Sequence, residues 1–307
     1  MNKTLLILAL TLIGVSACPH KAYAEDKEDK DEKKEIKKEL GLTLDVGVDV
    51  TSSYLWRGYN LGGISIQPSV TLDWKGLYVS GWANIGADNW TFENLNPELD
   101  ITIGYDNYGL QVDLTHLYYF ENTPYFPKGG FQGCPNEPNP MLPEDKQIGD
   151  EWEQETTMEA HIGFHLGDII ESVPLSVDWY TTVFGKDCYV NNNDTIRAWS
   201  TYIELGYDFN LPLGLLLGAR VGIVPWRSSY TGYQEVWTNA KTVAINNINL
   251  RLERDFELKH LFFGVWGEVM LNCYGLDKTN LTTTLENKFD QRLNWRFGAS
   301  LYLGNEW

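Results

Sequence analysis

Arg57 lies within the segment SSYLWRGY, residues 52–59, where three aromatic rings surround one arginine and a glycine follows it directly. The segment before it alternates apolar and acidic residues, so carboxylates are close in sequence. A guanidinium bridges carboxylates through planar, paired hydrogen bonds and keeps its charge when it is enclosed. We therefore expect Arg57 to act as a strut in a polar interior, with Gly58 allowing the chain to turn.

Carboxylates and further arginines recur at one parity of alternating segments along the whole chain. The residues predicted to share the inward parity of Arg57 are Asp45, Asp49, Asp73, Glu98, Asp100, Asp113, Glu159, Asp178, Glu204, Arg220, Arg251, Glu268, Arg292 and Arg296. Carboxylates outnumber arginines in this set. An interior lined by these side chains would favour cations.

The histidines that follow residue 40 are the candidates for a general base, and they are His116, His161, His165 and His260. Lipolysis by a Ser-His-Asn triad needs serine and histidine within hydrogen-bond reach on a lipid-facing surface. His161 and His165 instead have inward parity and lie about 13 Å apart along one strand, too far to share a metal ion. We expect no enzyme activity, no cofactor and no metal.

Two features of the predicted loops allow more than one interpretation. The stretch 121–155 carries enough acidic side chains to hold a calcium ion if they converge, but a solvated acidic loop is the favoured interpretation. Cys134, Cys188 and Cys273 fall in long connections on the same predicted side. A disulfide between Cys134 and Cys188 would join neighbouring loops of an exported protein, although three cysteines cannot all pair with one another.

The elements that must position these residues are β-strands. Apolar residues at 42, 44, 46, 48 and 50 alternate with Thr, Asp and Gly, which is the period of a strand with one apolar and one polar face. The pattern recurs and predicts twelve strands, near 42–59, 64–74, 77–87, 98–106, 110–120, 156–166, 174–186, 197–208, 214–226, 241–252, 259–271 and 289–303.

The connections between these strands alternate in length. Short turns at 75–76, 106–109, 167–173, 210–213 and 253–258 interleave with longer loops at 88–97, 121–155, 187–196, 227–240 and 272–288, and one loop-side connection, 60–63, is short. An even number of alternating strands with tight turns on one side is typical of an outer-membrane barrel. The predicted fold class is an all-β, antiparallel up-and-down transmembrane barrel of about 12 strands, spanning residues 41–307 with both ends periplasmic.

Aromatic residues cluster near the predicted strand ends. Amphipathic rings at those positions would lie at the lipid headgroups, and the candidates are Trp56, Trp74, Tyr78, Tyr105, Trp226, Trp266 and Trp295. The chain ends on Trp307 after an alternating strand. A terminal aromatic residue of this kind resembles the signal by which outer-membrane barrels are recognised for assembly.

The first forty residues predict export followed by a spacer. Residues 1–24 read as a basic start, an apolar run of about 14 residues and a small-residue cleavage site, which is a secretory signal that is too short to span a membrane. Cleavage after Ala24 is favoured, but Val15 to Cys18 also has the form of a lipoprotein box whose cysteine would be acylated. Residues 25–40 hold eight acidic and six basic side chains and predict a disordered periplasmic arm.

Several short segments of the chain together resemble a known family. VTSSYLWRG at 50–58 is followed by GLYVSGWA at 76–83, and Gln67-Pro68, Glu98-Leu99-Asp100 and Gly104-Tyr105 complete the series. The series resembles the TorF porin family, with its Ser-Asp-Tyr-x-x-Arg-Gly opening and Gly-x-Tyr-x-Gly-x-Trp second hairpin. The likeness covers about residues 45–120; Ser53 replaces an acidic residue and the connection after Arg57 is shorter. It implies an outer-membrane barrel in a Gram-negative bacterium.

The predicted function is passive diffusion of small solutes through a narrow, acidic, cation-preferring lumen. The other expected partners are outer-membrane lipid and the barrel-assembly machinery, while the net charge of −18 disfavours nucleic acid. Twelve strands lie between the small barrels that side chains fill and the open porins of about 16 to 18 strands. A closed barrel whose long loops bind a partner is therefore the alternative.

Overall fold

The computed structural model describes residues 41–86, 97–119, 156–185, 187–191, 194–231, 244–258, 261–273 and 293–306. Several predictions lie outside these residues: the signal, the charged arm, Arg292, Trp307 and the acidic loop with Cys134. The backbone of Cys188 is described and its side chain is not, so the disulfide stays a prediction. No helix among the described residues is long and apolar enough to cross a membrane.

Twelve antiparallel strands form one closed barrel, because the strand that begins at Leu42 pairs both with the strand that begins at Ser65 and with the strand that begins at Leu293. The strands of the wall are β1 Leu42–Thr51, β4 Ser65–Trp74, β5 Leu77–Gly86, β6 Glu98–Asn107, β7 Leu110–Tyr119, β8 Thr156–His165, β9 Leu175–Phe184, β12 Thr201–Leu211, β13 Leu215–Val224, β14 Ala244–Leu258, β15 Leu261–Asn272 and β16 Leu293–Glu306. Each pairs with its neighbours in chain order. The predicted fold class is confirmed.

Two short hairpins stand apart from the barrel sheet. β2 Tyr54–Trp56 pairs with β3 Tyr59–Gly62, and β10 Cys188–Asn191 pairs with β11 Asp194–Arg197. The predicted first strand, 42–59, is therefore wrong in its second half, because the wall strand ends at Thr51 opposite Ser65. The predicted turn at 253–258 is also wrong, since β14 continues to Leu258.

The wall separates an apolar outside from a polar inside through the two-residue period of its strands. Exposed apolar side chains of the outer face include Val46, Val50, Val79, Ile103, Ile162, Leu205, Leu250 and Val265. Buried polar side chains of the inner face include Thr51, Ser65, Gln67, Asp100, Thr102, Asp113, Glu159, Asp178, Glu268 and Ser300. The alternation of apolar and polar residues along each strand therefore produces the two faces of the wall.

The two ends of the barrel differ in their connections. Two-residue turns at Lys75-Gly76 and Tyr108-Gly109, all with positive φ, close hairpins at one end, which we name the turn end. Both chain ends of the described barrel also lie there, since Leu42 pairs with Trp74 and Thr43 with Glu306. The opposite end, named the loop end, receives the connection between β1 and β4.

Candidate functional site: a lumen crossed by the first loop

The hairpin of β2 and β3, residues 54–62, turns at Arg57 and Gly58. Their φ angles are 42° and 93°, as a two-residue hairpin turn of type I′ requires. Gly58 is needed for a second reason, because a β-carbon there would lie 2.9 Å from Nδ2 of Asn246. The tip therefore fits closely against the barrel wall. We name residues 54–62 the inserted hairpin.

The inserted hairpin lies inside the barrel, where its backbone tip contacts β14 and β15 and the Arg57 side chain extends to the opposite side of the wall. It starts between β1 and β4, while β8, β9 and β12 lie on the opposite side of the ring. At its tip, Nδ2 of Asn246 on β14 donates to the Arg57 carbonyl at 2.5 Å, and Nδ2 of Asn272 on β15 donates to the Gly58 carbonyl at 2.8 Å. The Gly58 amide contacts the sulfur of Met270 at 3.3 Å. The backbone of the inserted hairpin therefore narrows the lumen at the loop end.

The Arg57 side chain reaches a pocket on the far wall. Its Nη1 and Nη2 donate to the two carboxylate oxygens of Glu159 at 2.5 and 2.8 Å, and Nη1 also donates to the Tyr230 hydroxyl at 2.5 Å. The guanidinium carbon lies 3.9 Å from the ring centroid of Tyr180, 5.0 Å from Tyr202 and 5.8 Å from Tyr230. We name Glu159, Tyr180, Tyr202 and Tyr230 the Arg57 cage.

The structure places Arg57 inside the barrel and pairs it with a carboxylate, as the sequence predicted for a strut. The route differs, because Arg57 arrives on the tip of a loop instead of at the end of a wall strand. The predicted position of Trp56 at the lipid interface is wrong for the same reason. Trp56 lies within the inserted hairpin, 5.7 Å from the ring of Tyr230 and 4.8 Å from the guanidinium of Arg57.

A row of alternating acidic and imidazole groups continues from the cage along the wall. His161 contacts Asp113 through Nδ1 at 2.8 Å and Asp178 through Nε2 at 3.1 Å, and His165 contacts the same Asp178 oxygen at 2.9 Å. A neutral imidazole donates from one nitrogen, so both contacts of His161 are satisfied together only by the imidazolium. The His161 ring also stacks on Tyr180, with the two ring centroids 4.2 Å apart.

The other predicted inward residues within the described part of the chain lie on the inner face of the wall and form separate groups. Arg220 contacts Asp208 at 2.7 Å and Glu204 at 3.9 Å. Arg296 contacts Glu268 at 2.7 Å, and Arg251 contacts Glu253 at 2.7 Å. The predicted carboxylates outside these pairs are spread over the ring at Asp45, Asp49, Asp73, Glu98 and Asp100.

These carboxylates meet different neighbours. Asp49 accepts from the Tyr302 hydroxyl at 3.1 Å, and Asp73 caps its turn at the Gly76 amide at 3.4 Å. Asp100 is buried, and its Oδ1 has no hydrogen-bond partner within the described part of the chain. The described inner wall therefore carries more carboxylates than arginines.

The cage tyrosines were missed in the sequence. Tyr180 and Tyr202 are register partners and have the inward parity of Asp178 and Glu204, so the alternation contained a signal for them. Tyr230 lies beyond the end of β13, in a one-turn 3-10 segment, Ser229–Thr231. No period relates that segment to Arg57.

The predicted interface aromatics divide between the two faces. Trp74 and Trp295 are exposed on the outer face, Tyr105 shares the outward parity of Ile103, and Trp226 is exposed beyond the end of β13. The prediction is wrong for Tyr78, whose hydroxyl donates to Asp113 at 2.8 Å. It is also wrong for Trp266, whose Nε1 donates to the Ser300 hydroxyl inside the barrel.

Trp266 is buried on the inner face and has no lipid-facing surface. Its Nε1 donates to the Ser300 hydroxyl at 3.0 Å, and the guanidinium carbons of Arg251 and Arg296 lie 4.2 and 5.1 Å from its ring. The indole occupies the space above Gly298, where a β-carbon would collide with it. Trp266 therefore organises the arginines of this wall section.

This packing makes Gly298 a sensitive position. We expect Gly298→Ala to lower the free energy of unfolding by about 1–3 kcal/mol, since the added methyl displaces the indole of Trp266. Gly86→Ala is the control, because a β-carbon at Gly86 meets no atom within 4 Å. Urea unfolding of the barrel in detergent micelles measures both; equal stability of the two variants would contradict the prediction.

Known proteins resemble the chain only in fold. No protein-family model and no curated protein matches it. The KdgM porin aligns over 85% of this chain and 98% of its own, at 7% identity and a TM-score of 0.37. The CymD monoaromatic hydrocarbon channel aligns over 87% of this chain and 89% of its own, at 10% identity and a TM-score of 0.36.

An enzyme is among the similar structures as well. The outer membrane phospholipase dimer of Salmonella typhi, with bound calcium, aligns over 95% of this chain and 96% of its own, at 11% identity and a TM-score of 0.35. Likeness at this level transfers no activity in either direction. The resemblance to the TorF family is not confirmed and stays a prediction.

Proposed function

We propose that the chain is an outer-membrane barrel that lets small cationic or neutral solutes diffuse through a narrow lumen, with its loop end outside the cell. The observation that carries the proposal is the division of the closed wall into an apolar outer face and a charged inner face. A closed sheet satisfies every backbone group in lipid without a free edge. The charged inner face is suited to water and ions.

Cation preference follows from the charges on the described inner wall. Arg220, Arg251 and Arg296 are each held by a wall carboxylate. The wall adds further carboxylates that exceed these arginines, among them Asp45, Asp49, Asp73 and Glu98. Fixed negative charge close to a narrow path attracts cations and repels anions.

The remaining parts of the proposal rest on the sequence. The TorF resemblance, the signal at 1–24, the arm at 25–40 and Trp307 support export to the outer membrane of a Gram-negative bacterium and handling by the barrel-assembly machinery. His161 contacts Asp113 and Asp178 on the inner face, so it does not lie on the lipid-facing surface that a lipolytic triad needs. We therefore propose a transport role and no catalytic one.

Single-channel recording tests this function. Residues 25–307, refolded and inserted in a planar bilayer under a KCl gradient, should give discrete conductance steps with a reversal potential on the cation-selective side. The proposal fails if a properly folded barrel, identified by its heat-modifiable migration on a gel, never conducts. Selectivity for anions would still support a pore but would contradict the proposed preference for cations.

A closed barrel is the second candidate, and one observation favours it. The inserted hairpin contacts wall residues that are completely or almost completely buried, including Tyr202, Met270 and Asn246. If the hairpin stays in place permanently, the lumen is sealed at the loop end and function moves to the loops. Silent but folded barrels in the recording would support this candidate.

The membrane-facing assignment of the outer surface has its own test. We expect Leu250→Arg to destabilise the barrel in lipid by about 2–4 kcal/mol, because Leu250 is exposed near the middle of β14 on the outer face. Asn249→Arg is the matched control, since Asn249 faces the lumen beside Glu268. Unfolding in liposomes compares the two variants; equal losses would contradict the membrane assignment.

A further inference from the structure

The Arg57 cage is built by parts of the chain other than the hairpin that fills it. Glu159, Tyr180 and Tyr202 come from β8, β9 and β12, and Tyr230 follows β13. Tyr202 is held by Glu204 at 2.8 Å and Asn247 at 3.1 Å. Contacts that do not involve Arg57 therefore preform much of the cage.

The remaining cage groups contact the wall or one another. Tyr180 stacks on the His161 ring with planes 7° apart, and Tyr230 donates to Glu159 at 3.2 Å. A carboxylate flanked by three tyrosine faces is a recognition site for an organic cation, because ring faces and carboxylate attract the same charge. The cage therefore remains a cation site when its present occupant leaves.

The present occupant is held in an unfavourable backbone conformation. Arg57 has a φ of 42° at the first central position of a turn that usually takes Asn, Asp or Gly. For a residue with a β-carbon this conformation is unfavourable, because the β-carbon approaches the following carbonyl oxygen too closely. An arginine at such a position is explained by what its side chain contacts, and those contacts are the cage.

We propose that the Arg57 cage binds alkylguanidinium solutes and that Arg57 is a tethered occupant that such a solute displaces. The inference deepens the proposed function, because it rests on the lumen being the path of the solute. Displacement of Arg57 frees the tip of the inserted hairpin and widens the outer half of the lumen. The solute then opens its own path.

The geometry selects the chemical class of the ligand. Glu159 receives two hydrogen bonds from one planar group, and the Tyr180 ring centroid lies 3.9 Å from the guanidinium carbon. A guanidinium satisfies both contacts, whereas a compact ammonium cannot donate as a planar fork. Asp178 and Glu204 beside the tyrosines disfavour a ligand that carries its own carboxylate. An uncharged alkyl chain on the guanidinium is therefore expected.

Calorimetric titration with ethylguanidinium tests the inference on refolded residues 25–307 in detergent. Arg57→Ala should bind one equivalent at least about 100-fold more tightly than the wild type, whose tethered arginine competes. The double variant Arg57→Ala with Glu159→Gln should lose this binding. Arg251→Ala, which removes another inner-wall arginine, should behave like the wild type, and propylammonium should bind Arg57→Ala more weakly than ethylguanidinium.

A second measurement uses the unaltered chain, in case Arg57→Ala does not fold. Chymotrypsin cleaves after Trp56 and Tyr59, which pack inside the lumen against Tyr230 and its neighbours. Cleavage there should accelerate as ethylguanidinium rises, relative to cleavage elsewhere in the chain. An unchanged rate at saturating ethylguanidinium overturns the proposal, as does a folded Arg57→Ala variant that binds no more tightly than the wild type.

The binding result is separable from the conductance result. If the Arg57→Ala barrel binds ethylguanidinium tightly but never conducts, the cage is supported and the pore is rejected. Conductance without any binding would keep the pore and reject the cage.

Discussion

Deletion of residues 54–62 is expected to raise the single-channel conductance several-fold. The deletion leaves Ser52, Ser53, Gly63 and Ile64 between Thr51 and Ser65, which are already register partners. Four residues are a common length for a hairpin loop, so the wall can close without strain. The lumen then loses the backbone that narrows it at the loop end, and planar-bilayer recording measures the change.

The β10 and β11 hairpin supplies the matched control. Replacing residues 188–197 by two glycines joins Asp187 and Ala198, whose backbones are hydrogen-bonded at 2.9 Å. This removes a hairpin of similar size without touching the Arg57 contacts. If both deletions change conductance equally, or if neither does, the inserted hairpin is not the constriction.

Glu159→Ala is expected to have the largest effect on docking of the inserted hairpin. Arg57 and Glu159 are both nearly buried, with side chains 11% and 8% exposed, so the variant would leave a guanidinium enclosed without its carboxylate. Removing one partner of a buried ion pair costs about 3–5 kcal/mol. Because the hairpin can leave the lumen, we expect this loss as hairpin release, seen as faster chymotryptic cleavage after Tyr59.

The controls separate docking from general stability. Glu268→Ala removes the carboxylate of Arg296, but Arg296 is in the wall and the hairpin should stay protected. Combining Glu159→Ala with Arg57→Ala should destabilise the docked hairpin by less than the sum of the two single changes, because neither charge is then left without its partner. Equal cleavage in Glu159→Ala and Glu268→Ala would show that the ion pair does not hold the hairpin.

The barrel and the two faces of its wall were determined by the sequence itself. Strand side chains alternate with a period of two whatever they contact, so the runs around Val46, Ile103 and Leu250 were sufficient to assign an outer face. The same parity placed Asp113, Glu159, Asp178 and Glu268 on the inner face, where the structure has them. These assignments needed no knowledge of neighbouring strands.

The parity also shows why two aromatic residues were misplaced. Tyr78 alternates with the exposed Leu77 and Val79, and Trp266 shares the parity of Glu268. Closeness to a strand end suggested the lipid interface for both, but an end position does not decide which face a ring occupies. Their hydrogen bonds to Asp113 and Ser300 are inner-face contacts.

Only the tertiary structure decided the path of the first loop and the partners of Arg57. Local alternation continues past Thr51 toward Trp56, so the sequence alone read one strand where the chain leaves the wall. The cage joins Arg57 to Glu159 and Tyr230 across 102 and 173 positions of the chain. Contacts of that kind depend on closure of the ring, which brings the wall opposite β1 within reach of the hairpin, and no local period encodes that closure.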